Sequence, residues 1–182
     1  MIIFQKIRWK NFLSTGNQFT EIDFQQNNTN LIVGTNGTGK STVLDALTFS
    51  LFNKPFRKIN KGQLANSTNE KDCLVEVEFC INNKEYQVRR GIKPNIFQII
   101  VDGTPMHKEA DDRVMQKMLE ENILKVNYKS FTQIVILGST NFVPFMQLSG
   151  SNRREVIEDL LDIRIFSAMN SLIKDEIKGQ KD

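Results

Sequence analysis

Cysteine and histidine, which build disulfide frameworks and many metal sites, are scarce in this sequence. The 182 residues include two cysteines, Cys73 and Cys80, and one histidine, His107. These numbers exclude a disulfide-stapled scaffold and a zinc site made of cysteine and histidine ligands. A reducing, cytoplasm-like compartment is therefore expected.

Long apolar runs are also absent. No stretch of about 18 consecutive apolar residues occurs, which excludes a transmembrane helix. The segment from Met1 to Lys6 lacks the basic start, apolar core and cleavage site of a signal peptide, and its pattern is that of a strand. Ten glycines and four prolines are too few for a collagen-like or low-complexity chain. We expect a globular protein with no membrane partner.

The charge is close to balanced but unevenly distributed. The chain carries 24 basic and 21 acidic side chains, for a net charge of +3. Residues 1–62 contain eight basic and three acidic side chains, so the excess lies in this part. A basic N-terminal part favours a phosphate-bearing partner, although an ordinary solvated surface explains it equally well.

Periodicity predicts an α/β protein with an antiparallel meander. Apolar and polar residues alternate over residues 4–9, 19–24 and 74–79, and residues 86–89 and 97–101 are also strand-like. Asn82-Asn83 and Asp102-Gly103 are turn signals within or beside this region. Residues 73–101 are therefore predicted to form the meander.

Further elements follow from apolar runs and from helical spacing. Two short apolar runs, residues 31–33 and 134–137, are typical of strands covered on both faces. Helices are predicted over residues 40–52, 108–124 and 152–178. The second helix is expected to present one apolar face, made of Val114, Met118 and Leu119. The last is expected to be one long helix with a buried stripe, made of Ile157, Leu161, Ile165, Ala168 and Leu172.

A glycine-rich segment between a predicted strand and a predicted helix carries the chemistry. The residues from Gly34 to Ser41, GTNGTGKS, fit the P-loop pattern G-x-x-x-x-G-K-[ST]. Its glycines permit positive φ and a close approach of the backbone to phosphate, and its amides form an anion nest at a helix N-terminus. Lys40 then contacts the β- and γ-phosphates, and the Ser41 hydroxyl is a magnesium ligand.

The class of P-loop protein is narrowed by what accompanies the motif. A guanine-reading N-K-x-D motif is missing, because Asn53-Lys54-Pro55-Phe56 lacks the aspartate. A small-molecule kinase usually has an arginine-rich lid after the P-loop, and the pair Arg89-Arg90 keeps this class possible. No apolar run ends in the Asp-Glu pair of a Walker B motif, and the nearest segment, Val156 to Asp159, falls in a predicted helix. The chain therefore holds a nucleotide-binding half-site whose remaining groups come from elsewhere.

Beyond the P-loop, nearly the whole chain resembles one family. The segments that carry the likeness are KNF at 10–12, NLIVG at 30–34, LDAL at 44–47, KPFR at 54–57, KGQLANSTN at 61–69, RGIKPN at 90–95, SFTQIVILG at 130–138, PFM at 144–146 and RREVIEDLL at 153–161. Together they resemble ABC-type ATPases of chromosome maintenance and DNA repair, narrowly the large ATPase subunit of the double-strand-break repair nuclease complex (SbcC in bacteria) and its phage recombination counterpart.

The resemblance implies the N-terminal lobe of an ABC-type ATPase head, with a mixed sheet and the meander around the P-loop helix. Residues 1–151 would form the lobe, and residues 152–182 would begin a coiled coil where a metal-dependent nuclease docks. The C-terminal lobe of the same protein and a second protomer, paired in an ATP-dependent homodimer, would complete each ATP–Mg²⁺ site. Double-stranded DNA ends are the implied substrate, in the host cytoplasm if the protein is phage-encoded.

The nucleotide-binding residues are assigned on the motif and the resemblance. They are Ser14, Gly34, Asn36, Gly37, Thr38, Gly39, Lys40, Ser41 and Thr42, with Lys40 as the catalytic cation. Ser41 and Ser139 are the residues expected to bind the magnesium ion, Ser139 through a water molecule. Ser139 occupies the position of the family's Q-loop glutamine, and Ser14 is favoured because Leu13 stands where a basic residue often follows the Asn-Phe pair.

Several features keep more than one interpretation. Arg57, Lys58 and Lys61 face either DNA or adenosine, or are solvated, and residues 66–68 are either an adenine edge or a plain turn. The segment from Leu148 to Ser151 resembles an ABC signature but is interpreted as a helix N-cap. Two other functions stay open, a self-contained P-loop kinase and an architectural DNA tether in which ATP only locks two heads together.

Overall fold

The computed structural model describes residues 2–106, 111–136, 144–161 and 163–179. The chain forms two compact units, Met1–Leu119 and Glu120–Asp182. The boundary predicted between residues 151 and 152 separates an ATPase lobe from the beginning of a coiled coil. It is a functional division rather than a division into compact units, and it stays a prediction. No helix within the described ranges has the length and apolar character needed to cross a bilayer.

The first unit is built on one six-stranded sheet in the order β2-β1-β3-β4-β5-β6. Every neighbouring pair in this sheet is antiparallel. The strands are β1 (Ile2–Lys10), β2 (Thr20–Asp23), β3 (Cys73–Ile81), β4 (Lys84–Ile92), β5 (Ile96–Val101) and β6 (Thr104–Pro105).

The predicted meander is confirmed as β3, β4 and β5. Asn82 and Asn83 both adopt positive φ, 48° and 65°, in the turn between β3 and β4. Asp102 and Gly103 do the same, at 48° and 77°, between β5 and β6. Two consecutive residues with positive φ make the turn whose twist matches paired strands, and asparagine, aspartate and glycine tolerate it best.

One face of the sheet forms the core with helix α1 (Thr42–Phe52). Fully or almost fully buried on it are Ile7, Trp9, Val75, Val77, Phe79, Val88 and Ile99. Phe49 of α1 meets Phe12 from the turn after β1, with ring centroids 5.6 Å apart. Cys73 belongs to the same interior, where burial raises the pKa of its thiol to about 12, so it serves as an apolar packing residue.

The opposite face of the sheet is held by charge pairs between neighbouring strands. Glu76 on β3 lies between Arg8 on β1 and Arg89 on β4, as the strand register requires. Its carboxylate is buried and accepts hydrogen bonds from both guanidinium groups, the one from Arg89 at 2.6 Å. A buried carboxylate is tolerated here because two cations and their hydrogen bonds compensate for its lost hydration.

The buried strand predicted for residues 31–33 is wrong for this structure. Leu31, Ile32 and Val33 adopt no regular structure, and Leu31 and Val33 are 86% and 78% exposed. The physical reason is that no strand among the described residues offers them a ladder partner. The sheet is therefore antiparallel in the described part of the chain, and the mixed sheet that was expected there does not form.

The helix predicted over residues 108–124 is shorter and turns a different face inward. Residues 108–110 lie outside the described part; helix α2 spans Asp112–Met118, and a π-helix, Leu119–Leu124, follows it. Met115, Leu119 and Leu124 are buried, whereas Val114 is exposed. Of the predicted face, Leu119 is confirmed as buried; it shares its face with Met115 at four-residue spacing, which leaves Val114 on the exposed side.

The second unit contains helices α3 (Tyr128–Ile134), α4 (Gly150–Leu160) and α5 (Arg164–Gly179). The strand predicted over residues 134–137 is wrong, because Ile134 closes α3 and Val135 caps it, while residue 137 lies outside the described residues. Asn127 begins this helix by accepting a hydrogen bond from the Ser130 amide at 2.9 Å. This cap commits the following apolar residues to a helix.

The single long helix predicted from residue 152 is two helices. The chain leaves α4 after Leu160, and the Ile163 amide bonds to the Glu158 carbonyl, five residues back, at 3.0 Å. This wider spacing breaks the helical register before α5 begins. The predicted stripe is also exposed at Ile157, Leu161, Ile165 and Leu172 rather than buried, since the described residues include nothing that covers it.

Replacing Glu76 by glutamine is expected to lower the free energy of unfolding by about 2 kcal/mol, because Arg8 and Arg89 lose a charged acceptor in a buried position. Glu21→Gln is the matched control, since Glu21 pairs with Lys6 at 3.1 Å but is exposed. Its effect should fall within experimental error. Urea denaturation followed by circular dichroism measures both, and equal effects would contradict the argument from burial.

Candidate functional site

The segment between Gly34 and Ser41 forms a tight loop in front of α1. Gly37 and Gly39 have φ values of 90° and 93°, which side-chain-bearing residues rarely adopt. Gly34, for which positive φ was also expected, does not adopt it. Its position excludes a side chain for another reason, because a Cβ atom there would lie 2.7 Å from Thr38 Oγ1.

Lys40 folds back over its own loop. Its Nζ donates hydrogen bonds to the carbonyl oxygens of Gly34 and Thr35, at 2.7 and 2.8 Å. Thr38 Oγ1 donates to the same Thr35 carbonyl at 2.8 Å. The ammonium group of Lys40 thus bridges two carbonyls at the beginning of the loop and places a positive charge beside them.

The backbone amides after Gly37 point to an anion site. In the described part of the chain, the amides of Gly39, Lys40 and Ser41 donate to no carbonyl. They precede the N-terminus of α1, where the helix dipole favours negative charge. Ser41 holds the N-cap position, yet its side chain makes no capping hydrogen bond, so the hydroxyl stays available to a ligand.

A cavity of about 560 Å³ opens above these groups. It is lined by Leu13, Ser14, Asn36, Gly37, Gly39, Lys40, Ser41, Thr42, Arg57, Ile59, Gln63, Ala65 and Ser67. Most of the residues assigned from the sequence therefore come together here. Gly34 and Thr38 do not line the cavity but brace the loop, because the Gly34 carbonyl accepts from Lys40 Nζ and Thr38 Oγ1 donates to the Thr35 carbonyl. Ser139 lies outside the described residues.

Ser14 reaches the cavity on a turn that is fixed from two sides. The Asn11 amide bonds to the Gly16 carbonyl at 2.8 Å, and the Leu13 amide bonds to the Leu64 carbonyl at 2.7 Å. Asn11 and Leu13 both adopt positive φ, 49° and 54°. The side chain of Leu13, where a basic residue was considered, lines the cavity as an apolar surface beside Ser14.

The segment from Leu64 to Ser67 forms another wall of the cavity. Asn66 itself is buried and serves the backbone: its Oδ1 accepts from the amides of Thr68 and Asn69, and its Nδ2 donates to the Thr15 carbonyl. Of the predicted adenine edge at 66–68, Ser67 alone lines the cavity. Asn66 is therefore a turn residue that braces the wall.

Sequence reasoning left the role of Arg57 open, and the structure places this side chain in the cavity wall. Its guanidinium is tied to the buried carboxylate of Asp45 on α1. Lys58 and Lys61, considered together with it, are exposed and do not line the cavity. Partial loss of hydration at its ammonium group and the nearby charge of Arg90 lower the pKa of Lys61. No local sequence pattern links Arg57 with Asp45, twelve positions earlier.

Two motif-like segments turn out to be helical. Ser149 is the N-cap of α4, and its hydroxyl accepts from the Asn152 amide at 3.4 Å, which confirms the N-cap interpretation of the signature-like segment. Residues 156–159, the nearest approach to a Walker B motif, lie within the same helix. The described residues also contain no group of three or more His, Cys, Asp or Glu side chains able to hold a metal ion.

Comparison with known proteins identifies the family. Residues 6–182 match the family model of the AAA domain. The chain belongs to this family. Exonuclease subunit 2 of Escherichia phage RB69 is 43% identical to it over 173 residues, which are 95% of this chain and 31% of the relative. The DNA double-strand break repair Rad50 ATPase of Thermoplasma volcanium is 25% identical over 182 residues, 97% of this chain and 20% of the relative.

This AAA-family chain is of the Rad50/SbcC type and matches the N-terminal part of those ATPases. It spans less than a third of the length of these relatives. The Smc head domain of Pyrococcus furiosus, solved with an extended coiled coil and bound to the C-terminal domain of ScpA, aligns with a TM-score of 0.64 and 24% identity, covering 100% of this chain and 47% of that one. The fold is that of a P-loop head domain of the SMC type.

Substituting alanine for Gly39 is expected to weaken binding of inorganic triphosphate about tenfold, because the side chain strains a backbone with positive φ. Gly16→Ala is the control, since Gly16 has ordinary φ and open space around its Cβ position. Isothermal titration calorimetry of both variants measures the effect. An unchanged affinity in Gly39→Ala would show that the loop is not the phosphate cradle.

Proposed function

We propose that this chain is the ATP-binding N-terminal lobe of a Rad50/SbcC-type DNA-repair ATPase. The whole protein pairs into a dimer around ATP and Mg²⁺ and regulates a nuclease that processes double-strand breaks. The observation that carries the proposal is that Lys40, Ser41 and loop amides with no carbonyl partner among the described residues lie together at one end of a buried helix, beside a cavity of nucleotide size.

The triphosphate is the part of the ligand that this geometry suits best. Gly39, Lys40 and Ser41, whose amides donate to no carbonyl among the described residues, line one cavity at the N-terminus of α1, together with the Lys40 side chain. Each of these groups stabilises a bound anion, and together they suit the β- and γ-phosphates best. On ATP binding, the ammonium of Lys40 would transfer hydrogen bonds from the loop carbonyls to phosphate oxygens.

Ser41 fits the role of magnesium ligand, because its hydroxyl lines the cavity and is not consumed by helix capping. Mg²⁺, when bound, neutralises charge on the phosphate oxygens. The acidic group near this position, Asp45, is committed to Arg57. Among the described residues, no further acidic side chain lines the cavity, so we expect the carboxylates that anchor the metal and orient water to come from another part of the protein, with this lobe as an ATP-binding half-site.

The exposed segment of residues 31–33 supports a C-terminal lobe as the first partner. Three consecutive exposed apolar residues, which pair with no strand in the described part of the chain, lie directly before the P-loop. Such a segment is unfavourable in water and is stabilised by pairing with a further strand. The relatives extend well beyond the length of this chain, which provides a source for that strand.

The helices of the second unit support the remaining partners. Along α5, one apolar side stays exposed and includes Ile165, Met169, Leu172 and Ile173. An amphipathic helix with this face uncovered suits packing against a second helix in a coiled coil, or against a docked nuclease. The RB69 relative is described as an exonuclease subunit, in keeping with a nuclease partner that acts on DNA ends.

Lys40→Ala is expected to weaken ATP binding at least about 30-fold, since it removes a charge-assisted contact to the phosphates. Lys84→Ala, which removes an exposed lysine on β4 remote from the cavity lining, should bind ATP like the parent chain. Titration calorimetry with Mg·ATP measures both. Near-parental affinity in Lys40→Ala would refute the proposal. Robust multiple-turnover hydrolysis by the chain alone would favour a self-contained enzyme instead.

Leu31→Asp is expected to reduce association with the separately purified C-terminal lobe of the full-length protein by about tenfold or more, because it places a charge in an apolar strand interface. Val114→Asp changes an equally apolar, exposed residue on α2 and serves as the matched control. Analytical ultracentrifugation or calorimetry measures the association. If both variants associate equally well, residues 31–33 are not the contact.

A further inference from the structure

A second cavity, of about 230 Å³, lies at the other end of the sheet from the cavity above the P-loop. Gln5, which lines it, stands near the beginning of β1, whereas the turn that carries Ser14 follows the end of that strand. The two cavities share no lining residue, so this one is no part of the nucleotide site. Its side chains with hydrogen-bonding groups are Gln5, Glu78, Glu85, Tyr86 and Gln87.

The strand register brings these side chains together. Glu78 on β3 lies opposite Gln87 on β4, which in turn lies opposite Ile100 on β5. On β1, the register shifts between Phe4 and Lys6, so that Gln5 is an extra residue in the strand. A bulge of this kind redirects a side chain, and bulges are common beside functional sites. Gln5 thus lines the cavity at the point where β1 leaves its regular pairing.

Both charged side chains in the lining are acidic. Glu78 is half-buried and Glu85 is exposed. Lys6 lies opposite Glu78 in the register, but its ammonium pairs with Glu21 at 3.1 Å. Within the described ranges, no basic side chain forms an ion pair with Glu78 or Glu85. The cavity therefore has a negative charge that suits a cationic ligand.

Hydrogen-bond acceptors dominate the lining. The one side-chain hydrogen bond between lining residues of the described chain runs from Gln87 Nε2 to Glu78 Oε1, at 2.9 Å. It leaves the carboxamide oxygen of Gln87 and the second oxygen of Glu78 for a ligand, beside the carboxylate of Glu85 and the carboxamide of Gln5. A guanidinium group has five donors and no acceptor, which matches acceptors from several side chains.

A metal ion and a whole small molecule fit this cavity less well. The part of the chain that the structure describes contains no group of three or more His, Cys, Asp or Glu side chains able to hold a metal ion. The volume of about 230 Å³ is below the range, from about 300 Å³ upward, that is usual for small-molecule sites. It suits a single long side chain.

We propose that this cavity binds the side chain of an arginine from a partner protein. Glu78 and Glu85 pair with the guanidinium group, Gln5 and Gln87 accept further hydrogen bonds from it, and Ile100 adds apolar surface for the methylene stem. Free arginine is a poorer ligand, because its own carboxylate would approach two carboxylates of the cavity. The proposal does not depend on the proposed function, since the nucleotide binds elsewhere.

Ordinary solvated carboxylates are the competing explanation. Two exposed acidic side chains without a built site attract any cation weakly and alike, and salt screens that attraction. A site for a guanidinium group distinguishes arginine from lysine, because planar donors meet several acceptors at once whereas an ammonium acts as a point charge. The comparison of these two side chains therefore separates the explanations.

The test uses blocked pentapeptides in which one central residue is flanked by glycines, titrated into the isotopically labelled chain and followed by amide chemical shifts. The arginine peptide should shift the amides of residues 85–87 with a Kd on the order of 1 mM. The citrulline peptide, which keeps the shape but has no charge, should bind at least about tenfold more weakly. The lysine peptide and free arginine should each bind at least about threefold more weakly.

Variants of the chain locate the site. Glu78→Gln and Glu85→Gln are each expected to weaken binding of the arginine peptide about fivefold, because each removes a charged acceptor. Glu70→Gln removes an exposed acidic side chain outside the lining and should bind like the parent chain. Circular dichroism checks the fold. If Glu78→Gln does not fold, Glu85→Gln decides, since Glu85 is exposed.

Five results would overturn the proposal: no saturable shift up to about 10 mM arginine peptide, equal binding of the citrulline peptide, equal binding of the lysine peptide, tighter binding of free arginine, or parental affinity in Glu85→Gln. The affinity for Mg·ATP should be parental in all of these variants. The failure of this proposal would therefore leave the proposed function intact, and the failure of Lys40→Ala to weaken ATP binding would leave this one intact.

Discussion

Immobilisation of helix α1 is the constraint on which the candidate site depends. All of its residues except Leu44 are buried, and the helix packs against β1, β3 and β4. Its C-terminal carbonyls are also held: Arg90 Nε donates to the Ser50 carbonyl at 3.0 Å, and Gln116 Nε2 donates to the Leu51 carbonyl at 2.9 Å. Because both the sides and the end of the helix are fixed, the amides and side chains at its other end keep one arrangement.

The features that sequence reasoning predicted well are those set by neighbours in the chain. The P-loop pattern, the alternation in β3 and the asparagine turn at 82–83 each depend on residues within a few positions, and the structure contains all of them. The N-cap at Ser149 has the same local origin. Most of the residues assigned to the nucleotide from the sequence line one cavity for this reason.

The features that escaped prediction depend on partners distant in sequence. Residues 31–33 have the composition of a buried strand, but a strand also needs a neighbour, and the described residues provide none. Residues 134–137 have a similar composition, yet the cap at Asn127 places their beginning at the end of a helix. Arg57 reaches the cavity through Asp45, and no periodicity signals a pair that joins a helix to an irregular segment.

Within the described part of the chain, a pairing strand and a metal-binding group are both missing beside the P-loop. Among the described residues, no strand pairs with residues 31–33 directly before the P-loop, and no group of side chains able to hold a metal ion accompanies Ser41 at its end. In a parallel pair of strands, the residues after both carboxyl ends meet at one edge of the sheet. A strand that runs parallel to residues 31–33 would therefore deliver its following residues beside Ser41. Under the proposed function, one further strand thus stabilises the exposed segment and brings an acidic group to the phosphates, so that binding of the C-terminal lobe and assembly of the hydrolytic site are a single event.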